Sequence, residues 1–104
     1  MSLRPPGGAS AASFAEISFD ALGHEILAEK AAALGRAGER AETCLKRLGD
    51  HQDGAGDRAA LVRQASDAVY AWFIQRELCG FRRHDDIIRD YAIPREVLVR
   101  LGAK

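Results

Sequence analysis

Cysteine is scarce: Cys44 and Cys79 are the two in 104 residues, too few for the disulfide framework of a small secreted domain. Each sits beside apolar residues in a helical pattern, as a small buried hydrophobe does. An excess charge of either sign is missing too. Fifteen basic residues balance fifteen acidic ones, which disfavours a general affinity for nucleic acid or anionic lipid. No apolar run approaches the ~20 residues of a membrane span. No apolar leader segment follows Arg4, Pro5, Pro6, Gly7 and Gly8, so a cytoplasmic location is expected. Phosphate loops of the Gly-x-Gly-x-x-Gly or Walker type and the Gly-x-Ser-x-Gly elbow are absent, and with them the commonest nucleotide and acyl-transfer chemistries.

Hydrophobic residues make up 47% of the chain and charged residues 29%, an ordinary composition for a single folded domain. A chain this short buries roughly 65% of the surface its unfolded form exposes, so its core is modest. The first twelve residues, MSLRPPGGASAA, carry little that packs and read as a flexible tail before one helical domain over 13–104. Ser13 with Glu16 has capping-box spacing, and Asp20 is a second candidate N-cap.

The strongest pattern runs from about residue 20 to 48. Leu27, Leu34, Ala41 and Leu48 recur every seven residues, with His24, Ala31, Gly38 and Leu45 at the companion positions. This is an a/d seam of nearly four heptads and predicts a helix roughly 44 Å long. GDHQDGAG at 49–56 supplies the turn residues for a reversal. Asp57 then caps a second amphipathic helix over about 57–79, with Gly80 at its C′ position. Two short helices follow, one opened by Asp85 and Asp86, the other by Pro94 at N1 and closed by Gly102. The expected fold is all-α, a helical hairpin with two short C-terminal helices.

Small residues crowd the middle of the first helix. Gly35 and Gly38 each cost about 1 kcal/mol relative to alanine in a helix. Two readings offset that cost. The glycines make room for Trp72 or Phe73 of the second helix, or the seam meets its own copy in an antiparallel homodimer. The second is preferred, with Leu27, Ala31, Leu34, Gly38, Ala41, Leu45 and Leu48 as the self-association face, because a two-fold contact would relieve the modest core. An unidentified protein partner is a further expectation should any aromatic near Tyr70, Trp72 or Phe73 be exposed.

No residue set points to catalysis, a cofactor or a metal. A zinc helix of the His-Glu-x-x-His kind needs a second histidine where Ala28 follows His24 and Glu25. Diiron bundles need Glu-x-x-His on two helices, which the sequence lacks. His84, Asp85 and Asp86 beside Arg82 and Arg83 form a dense polar cluster, read first as helix capping. A non-enzymatic interaction or structural role is expected. The alternative is a DNA-binding regulator. Residues 87–101 resemble a helix-turn-helix in outline and would present Arg95 and Arg100 to the duplex.

The blocks HEILAEKAAALGRAGER at 24–40 and YAWFIQRELCGFRRHDDIIRDYAIPREVLVRLG at 70–102 resemble a family of small, uncharacterised bacterial proteins, a domain of unknown function. The resemblance covers about residues 20–102. It implies a bacterial, helical protein and supplies no activity, ligand or catalytic residue.

Overall fold

A computed structural model describes the backbone of residues 11–51 and 56–103, and side chains from residue 20 onward within those spans. The described residues form four helices and no strand: α1 (Ala11–Asp50), α2 (Arg58–Leu78), α3 (Asp85–Asp90) and α4 (Arg95–Leu98). Two long helices pack together and two short ones follow, as expected. α1 is longer than its heptads suggested, starting by Ala11 and ending at Asp50. Its 40 residues span about 60 Å. Alanine-rich sequence needs no apolar periodicity to stay helical, so the pattern marked only part of the helix. The rest of the expected tail, residues 1–10, and most of the reversal, residues 52–55, lie outside the described residues.

α2 begins and ends where its sequence directs. The Asp57 carboxylate accepts the Ala60 amide at 3.1 Å, satisfying one orphan donor of the first turn. At the other end Gly80 has φ +100°. The Phe81 amide donates to the Arg76 carbonyl at 2.9 Å and the Gly80 amide to Glu77 at 3.0 Å, the paired bonds of a Schellman closure. The same closure ends α3 without glycine. Ile93 donates to Ile88 at 3.0 Å and Ala92 to Arg89 at 3.1 Å, with Ala92 at φ +48°. Pro94 then serves as N-cap of α4 rather than its first helical residue.

The core lies between α1 and α2. Ala41, Cys44 and Leu48 from α1 meet Val62, Ala65, Ala68, Val69, Trp72 and Phe73 from α2, with Ile93 and Val97 closing the C-terminal side. Val97 is fully buried, and its carbonyl lies 3.3 Å from the Ser66 hydroxyl, which donates to Val62 at 2.7 Å. Arg58 pairs with Glu96 across the same contact. Both cysteines are free.

Candidate interaction surface

Only part of the predicted seam is left open. Ala41 and Leu48 are buried, and Leu34 and Leu45 pack partly covered against the same cluster. At Gly38, a Cβ would sit 3.1 Å from Nε1 of Trp72 and 3.3 Å from Cε2. The glycine therefore admits the indole of α2, one of the two readings its sequence allowed. At Gly35 a Cβ would meet nothing within 4 Å. Leu27 and Ala31 are exposed. Five of the seven seam positions thus face α2 within one chain and two do not.

The division follows from the unequal lengths of the two helices. α2 ends beside Lys30, whose carbonyl lies 3.9 Å from the Cys79 sulfur. N-terminal to that level, residues 11–29 of α1 continue for about 28 Å past the end of α2. Leu22, Ile26 and Leu27 stand exposed there at 49%, 49% and 63%. His24 is exposed on the same segment. A lone helix of this length is marginal in water, since helices draw most of their stability from a packed face. An apolar group on such a helix is the usual mark of a contact surface.

At the end of α2 the polar cluster resolves into a packed clamp. Arg76 is 9% exposed, and a buried guanidinium must be paired. Its Nε donates to Nδ1 of His84 at 3.1 Å and an Nη donates to the Arg83 carbonyl at 3.1 Å. Asp86 stands 3.6 Å away. Since Arg76 Nε–H can only donate, Nδ1 of His84 carries no proton in this contact. The proton is on Nε2, which donates to Glu77 at 2.9 Å. The imidazole lies flat on Phe73, centroids 4.1 Å apart and planes at 7°, while Phe81 covers the guanidinium at 4.8 Å.

The clamp joins α2, the following turn and the start of α3. Both imidazole nitrogens are engaged, so neither offers a lone pair to a metal. Among the described residues, no group of three His, Cys, Asp or Glu side chains converges. Around the rim Arg83 pairs with Asp85 and Arg89 with Asp90, exposed contacts that add little stability.

Arg95 and Arg100, the candidate nucleic-acid contacts, are both exposed. Arg95 opens α4 and Arg100 lies just past its end; the helix has four residues, about 6 Å of axis. A recognition helix offers several side chains along a groove, and here Val97 is turned into the core. Among the described residues no helix is long and apolar enough to cross a membrane.

The chain matches the family of unknown function DUF6665 over residues 1–104 and belongs to it. No curated protein and no solved structure matches it.

Proposed function

We propose that this protein is a non-catalytic, helical interaction module that self-associates through the free half of α1. The observation carrying the reading is the overhang: one helix outruns its partner and exposes Leu22, Ile26 and Leu27, which no other described residue covers. A second copy would supply the missing face and add buried area to a small core. The residues involved differ from the heptad seam, because α2 occupies Leu34, Gly38, Ala41, Leu45 and Leu48. The reading extends to a bacterial cytoplasmic protein. The resemblance of the 24–40 and 70–102 blocks supports the first attribute, and two unpaired cysteines support the second.

The test is solution mass by light scattering, for the wild type and for Ile26→Glu, with helicity followed by circular dichroism. A wild-type dimer that weakens in the variant at unchanged helicity supports the reading. A monomeric wild type over the accessible concentration range overturns it. The rival, a DNA-binding regulator acting through Arg95 and Arg100, requires a salt-dependent mobility shift on duplex DNA. Zero net charge and the short α4 favour the interaction module.

A further inference from the structure

The free half of α1 and the groove beside its other half complement one another. At 100° per residue Leu22, Ile26, Glu29, Ala33, Arg36 and Arg40 fall within about 80° of arc. That face lies about a quarter turn from the one α2 covers, where a third helix of a bundle would sit. Its charges are segregated. Glu25 and Glu29 flank the apolar pair Leu22 and Ile26, whereas Arg36 and Arg40 flank Ala33 and Ala37. Between them Ala33 lies on the face and Ala32 at its edge, so the point midway between the two charged halves carries small side chains.

The second half of this face borders a shallow groove between α1 and α2. Ala33, Ala37, Ala68 and Ala71 line it, with Arg36 and Arg40 on its rim. A second depression continues it along α1, lined by Arg40, Thr43, Cys44 and Arg47. Small side chains make a floor on which another helix can lie closely, and the arginines make its edge positive.

We infer that the occupant of this groove is the free half of α1 from a second copy, crossing antiparallel about a two-fold axis between Ala32 and Ala33. This rests on the self-association proposed above and specifies its register and its face, which takes in Leu22 and Ile26 and leaves Leu27, about 140° around the helix from Leu22, outside the contact. A two-fold there pairs residues whose numbers sum to 65. Glu29 then faces the mate's Arg36, and Glu25 faces the mate's Arg40, twice over by symmetry. Leu22 falls at position 43, on the depression lined by Thr43 and Cys44. Ile26 falls between Ala37 and Arg40, against the alanine floor and an arginine stem.

Within one chain Arg36 donates to Glu29 at 3.0 Å, with both side chains largely exposed. A pair of that kind holds its partners weakly, so it yields readily to the four intermolecular pairs of the dimer. The opposite order of charge along the helix is what selects the antiparallel arrangement. In a parallel pair Glu25 and Glu29 would meet their own copies, and so would Arg36 and Arg40.

The experiment uses the full chain in three charge variants: Glu25→Arg with Glu29→Arg, Arg36→Glu with Arg40→Glu, and all four changes together. Mass is read by light scattering and helicity by circular dichroism. Each double variant brings like charges together and should weaken the dimer at least about tenfold. The quadruple variant restores every pair and should dimerise like the wild type. An equimolar mixture of the two double variants should give a heterodimer, identified by a size tag on one of them. The restored dimers cannot arise from misfolding, which keeps the test sharp even if one double variant loses helicity. Double variants that dimerise as the wild type does overturn this register while leaving self-association intact. A monomeric wild type overturns both.

Discussion

The Cβ that Gly38 lacks would stand 3.1 Å from the indole nitrogen of Trp72, so the packing of the two long helices is fixed at the site where α1 has least bulk. Trp72 also packs against Tyr91, edge to face with centroids 5.0 Å apart, and is 6% exposed. It has little room to withdraw. Gly35, one turn earlier, has open space at its Cβ. The same substitution should therefore act in opposite ways at the two positions. Gly35→Ala is expected to stabilise by roughly 0.5–1 kcal/mol through helix propensity alone. Gly38→Ala should lose that gain to strain, and Gly38→Leu should destabilise by about 1–3 kcal/mol by overpacking. Thermal or urea unfolding of the three variants measures all of this.

His84 accepts from Arg76, donates to Glu77 and lies on the ring of Phe73. Replacing it with alanine leaves Arg76 Nε–H buried without its acceptor and opens one face of Phe73. The expected cost is about 2–3 kcal/mol, the desolvation penalty of a charged donor with a lost ring contact. His84→Gln restores an acceptor but not the stacked ring, and should recover part of the loss. In the wild type, nitrogen-15 NMR should show the Nε2–H tautomer. The Nδ1–H form would contradict the bond to Arg76.

Much of this fold was legible in the sequence because its signals are local. Asp57 and Gly80 mark the ends of α2 through their own backbone and side-chain chemistry, and neither needs a partner from afar. The heptad pattern found α1 but drew its inner face too narrowly. Ala37 and Cys44 lie toward α2 as well, so the buried stripe is three positions wide, as in a globular helix rather than a two-stranded seam. Small residues on a helix say that something comes close without saying whether it belongs to the same chain. At Gly38 it is Trp72. The clamp was missed for a related reason: RRHDD reads as capping, and the bond from Arg76 eight residues upstream depends on the turn that Gly80 makes.

Ala92 closes α3 at φ +48°, where an L-residue with a Cβ is strained and glycine is not. The turn also aims Ile93 into the core, where it is 6% exposed, so the conformation is required by packing. Ala92→Gly should relieve the strain and stabilise by about 0.5–1 kcal/mol despite glycine's greater freedom in the unfolded chain. Ala92→Val adds branching at the same φ and should destabilise by more than 1 kcal/mol, roughly. Matched urea titrations of the two variants give the sign of each effect.

The two halves of α1 differ in what protects them, and amide hydrogen exchange separates the causes. Around Ala41, Cys44 and Leu48 the helix is packed on α2, so those amides should open only with the whole domain. Between residues 20 and 30 the helix has its own hydrogen bonds and exposed side chains. In a single chain it should fray on its own, with opening energies near those of an isolated helix. If two copies cross near Ala32, exchange in this segment becomes linked to dissociation, and its protection should rise with protein concentration while that of residues 41–48 stays constant. Ile26→Glu should abolish the concentration dependence and leave the packed half unchanged. Protection of residues 20–30 that is high and independent of concentration would mean that the free half is stabilised within one chain, contrary to the overhang on which the proposed function rests.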